Sequence, residues 1–260
     1  MDLGLKGRRA IVCGGSRGMS WAAARRFALE GADVLLVART PETLESAAKR
    51  IADESGNAVQ WFATDLTSPE GRAALLTAHP DPDILVANAG VPQRPIPYPQ
   101  LTREEWIWWF DAHFFSAIDL IHGYAPGMAE RGFGRIVNIS ANFIKFPQVG
   151  VGHSHAARLA LAGAIASLVR EVAPHNVTIN SILPGLIDTE ALQASLADRA
   201  KARGVPYADV EAEVRARCAA NRLADPQEAG DLIVMLCAAQ MGYMTGQNII
   251  NDGGSFQGLF

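Results

Sequence analysis

Residues 10–30 read AIVCGGSRGMSWAAARRFALE, and this stretch decides the fold. Its first four residues are apolar with β-branched residues at the centre, which is typical of a buried parallel strand. A glycine-rich turn at 14–18 follows, and a helical pattern then runs to Gly31, where a helix is expected to end. A strand, turn and helix in this order direct backbone N–H groups and the helix dipole at one point, which suits a pyrophosphate.

The composition limits the classes of protein and partner. With 260 residues, 49% of them hydrophobic, the chain can build one large α/β domain. Its net charge of −4 argues against a nucleic-acid partner. Cys13, Cys218 and Cys237 show neither metal nor disulfide spacing, which indicates a reducing, cytoplasmic setting and predicts no metal. We see no signal peptide and no membrane span, so a membrane is not expected as a partner.

Strand and helix patterns alternate along the chain. Strands are predicted at 10–13, 32–38, 58–63, 84–87, 135–140, 178–183 and 246–250. A proline-rich loop at 92–99 precedes a long helix, which begins with a capping box at Thr102 and runs towards residue 130. Further helices are predicted at 151–173 and 229–239. This alternation predicts a single-domain, Rossmann-like, doubly wound parallel sheet of about seven strands, with helices on both faces and a ligand at the carboxyl ends of the strands.

Three segments suggest further organisation. Residues 189–222 look helical and irregular, and we interpret them as a lid over the substrate. The helix at 151–173 is apolar nearly all round, which favours a subunit interface in a homo-oligomer, a dimer or a tetramer. The aromatic residues between 106 and 115 fit a helix interface or core, or else a hydrophobic wall for a substrate.

Six motifs carry a resemblance to a known family over essentially the whole chain. They are CGGSRGMS (13–20), DL (65–66), NAG (88–90), GRIVNIS (134–140), VTINSILPGLIDT (177–189) and TGQNIINDGG (245–254). Their order and spacing resemble those of the short-chain dehydrogenase/reductase family. The family's first turn reads T-G-x-x-x-G-x-G, so Cys13 and Ser20 depart from it. We expect the Ser20 side chain to crowd a diphosphate or to bond to it.

The resemblance implies a set of residues that bind a nicotinamide cofactor. These are Gly14, Ser16, Arg17, Gly18 and Met19 in the first turn, Arg39 after the second strand, Asp65 and Leu66 beside the adenine, Asn88, Ala89 and Gly90 behind the ribose, Arg158 at the nicotinamide ribose, and Pro184, Gly185, Ile187 and Thr189 at the nicotinamide amide.

Charge at the end of the second strand indicates which cofactor is used. A cofactor without a 2′-phosphate is usually met there by a carboxylate, but this chain has Ala38 at that position. Arg39 follows, and Arg17 lies in the glycine turn. Because two guanidinium groups suit a phosphate dianion, we predict NADP(H). The alternative is that both arginines are solvated surface charges.

The catalytic positions are where the chain departs from the family. The resemblance implies Asn, Ser, Tyr and Lys, in that order, and the matching positions hold His113, Ala141, Ser154 and Arg158. A serine hydroxyl is a far poorer acid than a phenol, and an arginine stays protonated. The family's use of Tyr as the acid is therefore not available here. Ser140 is expected to point to the other face, since adjacent strand residues alternate.

We predict His113, Ser154, His155 and Arg158 as the catalytic residues of a changed mechanism. Imidazole titrates near pH 6.5 and suits acid–base work, although each histidine could instead be packed or solvated. The predicted function is an NADP(H)-dependent oxidoreductase that acts on the carbonyl or alcohol of a small molecule through a non-standard proton donor. The alternatives are a non-catalytic partner of an active homologue in a hetero-oligomer, a nucleotide sensor, and a non-redox lyase or isomerase.

Overall fold

Seven parallel strands form one sheet in the computed structural model, which describes residues 1–91 and 94–259; Pro92 and Gln93 of the proline-rich loop, and Phe260, lie outside the described residues. The strands are β1 (Arg9–Cys13), β2 (Asp33–Ala38), β3 (Val59–Ala63), β4 (Ile84–Ala87), β5 (Gly134–Ile139), β6 (Val177–Pro184) and β7 (Asn248–Asn251). Their order across the sheet is β3-β2-β1-β4-β5-β6-β7. The predicted doubly wound sheet is confirmed.

Helices connect the strands. They are α1 (Gly18–Leu29), α2 (Pro41–Ser55), α3 (Pro69–Ala78), α4 (Arg103–Phe110), α5 (Ser116–Glu130), α6 (Gly152–Val172), α7 (Glu190–Arg203), α8 (Tyr207–Arg215) and α9 (Pro226–Cys237). Among the described residues, none of these helices has the length and apolar character needed to cross a bilayer.

Two hydrophobic cores lie on the two faces of the sheet. Because side chains alternate along a strand, neighbouring residues of β1 enter different cores. Val12 packs with Phe27 and the α1, α2 and α9 side chains, whereas Ile11 packs with Leu120 and the α5 and α6 side chains. The strands are apolar on both faces for this reason, as expected for a parallel sheet covered by helices on both sides.

Several predicted element ends differ from the observed ones, and one predicted cap forms only in part. The last helix begins at Pro226, three residues before the predicted start, because Asp225 and Glu228 form a capping box there. The last strand begins at Asn248, since Gly246 has a φ of 73° that no strand adopts. At Thr102 only half of the predicted capping box forms: its hydroxyl accepts from the Glu105 amide, but the Glu105 carboxylate pairs with Arg94 instead.

The long helix predicted from Thr102 onwards is interrupted. A π-helical turn at Asp111–Phe115 joins α4 to α5 and contains His113. A π turn adds a residue to a helical turn and so redirects the side chains within it, and such turns are frequent at functional sites. The His113 side chain consequently faces the interior, with about 8% of its surface exposed.

The packing of α1 against α9 requires a glycine at position 230. A Cβ atom there would lie 2.7 Å from the backbone carbon of Ala22 and 2.8 Å from the backbone nitrogen of Ala23. We expect Gly230→Ala to lower the free energy of unfolding by about 1–3 kcal/mol, because the two helices must move apart. Urea denaturation measures the change. Gly152→Ala is the control, since a Cβ there meets nothing within 4 Å; an equal effect of both variants would contradict the steric argument.

Candidate active site

A cleft of about 630 Å³ runs along the carboxyl ends of the strands. Residues from the turn after β1, from the ends of β2, β4 and β5, and from the beginning of α7 line it. Among the predicted site residues, those lining it are Gly14, Ser16, Arg17, Gly18, Met19, Arg39, Leu66, Asn88, Ala89, Gly90, Arg158 and Thr189. The volume lies within the range of small-molecule and cofactor sites.

The glycine turn forms one wall of the cleft. Gly14 and Gly18 have φ values of 64° and 61°, which strongly favour glycine. A Cβ on Gly14 would also lie 2.9 Å from Nδ2 of Asn88. Helix α1 starts at Gly18 with no acidic residue in its first turn and no side chain capping it. Its first N–H groups are therefore available to an anion, as the sequence predicts.

Ser20 lines the cleft beside the glycine turn, and its hydroxyl is held by a neighbouring side chain. Its hydroxyl is buried and accepts a hydrogen bond from Nδ2 of Asn88 at 3.0 Å. The Oδ1 atom of Asn88 in turn accepts from the Gly90 amide at 3.0 Å. Ser20 thus connects α1 to the loop after β4.

Arg17 and Arg39 both line the cleft near the end of β2 and are exposed. Nη1 of Arg17 lies 3.2 Å from a carboxylate oxygen of Glu190, the first residue of α7. This ion pair joins the glycine turn to α7 across the mouth of the cleft. Because both side chains are well exposed, it contributes little to stability.

Sequence reasoning missed Arg50, which also lines this end of the cleft. Its guanidinium lies over the Trp21 ring, 4.3 Å from the ring centre. Thr43, Ser46 and Arg50 occur at positions i, i+3 and i+7 of α2 and all line the cleft. That helical spacing is the signal in the sequence that could have identified them.

Asp65 and Leu66 differ in their placement. Leu66 lines the cleft, whereas Oδ1 of Asp65 accepts from the backbone N–H and the hydroxyl of Thr67 at 2.9 and 2.8 Å. The Asp65 carboxylate therefore holds the turn before α3, and Asp65 is not among the residues lining the cleft.

The predicted cofactor residues after β6 also differ in their placement. Thr189 lines the cleft, and its hydroxyl caps α7 by accepting from the Leu192 amide. Pro184, Gly185 and Ile187 lie outside the lining. A Cβ on Gly185 would be 2.6 Å from Cβ of Asp252, so glycine is required there by the close approach of the segment after β7.

Arg158 lies at the end of the cleft away from Arg39. Its Nε donates to Oγ of Ser154 at 3.2 Å, and its Nη1 donates to the Ile139 carbonyl oxygen at 3.1 Å. Its Nη2 lies 3.5 Å from Nε2 of His113. The π turn, the end of β5 and α6 therefore bring together His113, Ser154 and Arg158, three of the four residues predicted to be catalytic.

His113 is a neutral imidazole in this setting. Burial of the ring, and then the positive charge of Arg158, lower the pKa of His113 to about 2. Because a guanidinium only donates hydrogen bonds, Nε2 acts as the acceptor and the proton lies on Nδ1. The expectation that His113 exchanges protons near neutral pH is therefore not supported by its surroundings. His113 instead helps to orient Arg158.

The depressed pKa of His113 makes folding sensitive to acid. Between pH 2 and 6.5 the unfolded chain binds a proton that the folded chain excludes, so stability falls as the pH drops below about 6.5. We expect His113→Asn to reduce this loss by at most about 1.4 kcal/mol for each pH unit below 6.5. Urea denaturation at pH 7, 6 and 5 tests it. Parallel stability profiles for variant and wild type would contradict a depressed pKa.

The two histidines at the start of α6 lie away from the cleft lining. His153 is fully buried against Trp109, with ring centres 4.4 Å apart, and His155 packs edge-on near Phe143. His153 and His155 do not line the cleft, and neither do His113 and Ser154, which are connected to it through Arg158. The catalytic role of His155 stays a prediction. Trp109 also lies against His113, with ring centres 5.2 Å apart, so this part of the aromatic segment is core.

Ser140 is a lining residue, contrary to the expected alternation. β5 ends at Ile139, so the strand rule no longer governs the next side chain, and both residues line the cleft. The Ser140 hydroxyl is buried and has no hydrogen-bond partner among the described residues. Within those residues, no group of three or more His, Cys, Asp or Glu side chains is arranged to hold a metal.

Comparison with known proteins identifies the family. Residues 14–255 match the family described as enoyl-(acyl carrier protein) reductase. The 3-oxoacyl-(acyl-carrier-protein) reductase of Vibrio cholerae is 31% identical over 98% of this chain and 99% of its own length. The chain belongs to the short-chain dehydrogenase/reductase family. The acetoacetyl-CoA reductase of Shinella zoogloeoides is 30% identical over 96% of this chain and 98% of its own length.

Solved structures of short-chain dehydrogenases/reductases share the whole fold. L-Sorbose reductase from Gluconobacter frateurii, complexed with NADPH and L-sorbose, has a TM-score of 0.93 at 30% identity, with both chains fully covered. A 3-oxoacyl (acyl-carrier-protein) reductase from Agrobacterium tumefaciens, with NADP bound, has a TM-score of 0.87 at 30% identity over 97% of this chain and 96% of that one. These relatives and structural neighbours are oxidoreductases.

Proposed function

We propose that this protein is an NADP(H)-dependent oxidoreductase that reduces a carbonyl group, or oxidises the corresponding alcohol, without a tyrosine acid. The observation that carries the proposal is one continuous cleft, with Arg17, Arg39 and the glycine turn at one end and Arg158 at the other. The groups that would bind phosphate and the group that would stabilise charge therefore line a single cleft.

Three features of the cleft fit a dinucleotide. The first is the uncapped N-terminus of α1 behind Gly14 and Gly18, which would hold the diphosphate. The second is the pair Arg17 and Arg39, which would hold a 2′-phosphate. The third is the buried, unpartnered hydroxyl of Ser140, which a bound ligand would satisfy. Structural neighbours crystallised with NADPH or NADP support the same choice.

The remaining residues of the predicted set complete the assignment. Leu66, Asn88, Ala89 and Gly90 would contact the adenosine half, and Arg158 and Thr189 the nicotinamide half. Asp65, Pro184, Gly185 and Ile187 would act indirectly by shaping the backbone around the cleft. Each assignment is testable by substitution and nucleotide titration.

Removing the arginines at the β2 end is expected to weaken NADPH selectively. A hydrogen bond between charged groups contributes about 1.5–3 kcal/mol, so Arg39→Ala and Arg17→Ala should each raise the Kd for NADPH at least about tenfold. NADH, which has no 2′-phosphate, should bind each variant as it binds the wild type. Calorimetric titration measures all values. A parallel loss of NADH affinity would show that the arginines support the fold of the site and do not bind the 2′-phosphate.

The proposed chemistry rests on Arg158. The cofactor supplies hydride to the carbonyl carbon when bound. Negative charge then forms on the carbonyl oxygen, and the fixed guanidinium of Arg158 stabilises it by N–H donation. His113, Ser154 and the Ile139 carbonyl hold the guanidinium in place. Water supplies the final proton, since none of these side chains is an acid near neutral pH.

The first experiment is to titrate the purified chain with NADPH and with NADH. We expect NADPH to bind at micromolar concentrations or below and NADH much more weakly. A screen of carbonyl substrates then follows, beginning with 3-oxoacyl thioesters and a ketose, on which the named relatives act. If neither nucleotide binds, the proposed hydride transfer fails.

One observation favours a second candidate. All four catalytic positions are substituted, and the histidine among them is held neutral. A nucleotide-binding partner or sensor without catalysis would need only the β2 end of the cleft. Such a protein would bind NADPH in the titration but would reduce none of the substrates in the carbonyl screen.

We also infer a lid and an oligomer. Helices α7 and α8 pack on each other through Leu196, Val210 and Val214, and α7 begins at the mouth of the cleft, which suits a lid over residues 189–222. Trp108, Phe115 and Leu159 expose 40% or more of their surface on α4, the π turn and α6. This apolar surface suits a symmetric homo-oligomer, which light scattering would measure.

A further inference from the structure

The charge at Arg158 has no opposite charge beside it. Its hydrogen-bond partners are a hydroxyl, a carbonyl oxygen and a neutral imidazole, namely Ser154, Ile139 and His113. Among the described residues, no carboxylate lies within ion-pair distance of its guanidinium, in contrast to buried Arg72, which contacts Asp111 and Asp119. Arg158 is partly buried, and a partly buried cation without a counter-ion is costly, so the charge of any ligand beside it matters.

Other ionisable groups around the cleft do not compensate for Arg158. Glu190 pairs with Arg17 at the mouth of the cleft, and Glu42, the other carboxylate in the lining, lies in the first turn of α2 at the β2 end. The carboxylate of Asp252 accepts from Asn142 and from backbone amides at 254–256, and so is held in its own turn. Burial raises the pKa of the Cys13 thiol to about 12, so this group is neutral. Within hydrogen-bond distance, the guanidinium of Arg158 therefore has only uncharged partners among the described residues.

The two oxidation states of a nicotinamide cofactor differ by one charge on the ring. The oxidised ring is a cation, and the reduced ring is neutral. If the proposed function holds, the 2′-phosphate is at Arg17 and Arg39, and the ring is directed towards the Arg158 end. We propose that Arg158 makes this site selective for the reduced cofactor, because its uncompensated guanidinium repels the oxidised ring and tolerates the neutral one.

The expected preference is large enough to measure. The guanidinium and the oxidised ring each carry one positive charge. In a partly buried cleft, with an effective dielectric constant of ~20, their repulsion is expected to reduce the affinity for the oxidised cofactor about ten- to hundredfold. A tenfold preference corresponds to about 30 mV in the midpoint potential of the bound two-electron couple. The resting form of the protein would then be its complex with reduced cofactor, and the oxidised product would leave readily.

The experiment compares four nucleotides by calorimetry: NADPH, NADP+, NADH and NAD+. For the wild type we expect NADPH to bind at least about tenfold more tightly than NADP+, with a similar ratio for NADH and NAD+, because the effect arises at the ring. Arg158→Met should bring both ratios close to one by tightening the oxidised forms. Arg158→Lys, which keeps the charge, should preserve them.

Ser154→Asp provides an independent variant. Oγ of Ser154 is 3.2 Å from Nε of Arg158, so a carboxylate at this position can compensate the guanidinium without removing it. We expect it to tighten NADP+ and leave NADPH nearly unchanged, even if Arg158→Met does not fold. Equal affinities of the wild type for both oxidation states would overturn the inference while leaving the proposed function intact. Binding of none of the four nucleotides would instead refute the proposed function.

Discussion

Replacing Arg158 with methionine is expected to lower kcat/KM for carbonyl reduction about a hundred- to a thousandfold. This is the usual effect of removing a fixed donor that stabilises charge in a transition state. Methionine keeps an unbranched, apolar stem and removes every N–H group of the guanidinium. The loss of kcat/KM would therefore be due to the missing hydrogen-bond donors and the missing charge. Among the described residues, no tyrosine or lysine lines the cleft, so no neighbouring side chain takes over this role.

The matched control for that variant lies on the same helix. Arg170 is exposed near the other end of α6 and is not among the residues lining the cleft. Arg170→Met should leave kcat/KM unchanged within about a factor of two. The measurement is initial rates of NADPH oxidation with the substrate found in the carbonyl screen. If Arg158→Met retains the wild-type kcat/KM, the charge-stabilising role assigned to Arg158 is refuted.

Trp109→Ala is expected to give the largest loss of stability. Its side chain is fully buried and fills the space between His113 and His153. Truncation of a buried tryptophan costs about 3–5 kcal/mol through lost burial and the cavity left behind. Chemical denaturation should show the loss as a lower midpoint. We also expect water to reach His113 through this cavity, so the variant should lose part of the acid sensitivity predicted for the wild type.

Trp61 offers a matched control for the same substitution. It lies on the edge strand β3 and exposes about 40% of its surface. Trp61→Ala should cost no more than about 1 kcal/mol, because much of the side chain is already in water. Equal losses for the two variants would show that the position of Trp109 between the histidines has no special structural importance.

The sheet could be predicted from sequence because its signals are local and repeated. Each strand is an apolar run, each helix has start and stop residues, and their alternation permits few topologies. The glycine turn was predictable for the same reason, since a left-handed backbone at Gly14 and Gly18 strongly favours glycine. Helix α9 begins at Pro226 because of the capping box of Asp225 and Glu228, three residues before the apolar run that predicted the helix.

The candidate catalytic centre was predictable in position but not in chemical state. The family resemblance assigned His113, Ser154 and Arg158 to one site, and these three side chains lie together in the fold. The protonation of His113, however, depends on burial by a π turn and on the charge of Arg158, which come together only in the folded chain. The turn of Ser140 into the cleft is likewise set by the point at which β5 ends, and no residue pattern marks that.

Arginine at position 158 also determines how the charge of the site depends on the pH of the solvent. In the family pattern that the chain resembles, a lysine and a tyrosine occupy this end of the cleft, and the tyrosine gives or takes the proton of the reaction. Burial lowers the pKa of the Arg158 guanidinium to about 10, so this group, held by three neutral acceptors, still keeps its proton throughout the physiological range. The positive charge at this end of the cleft therefore stays the same when the pH around the protein varies within that range.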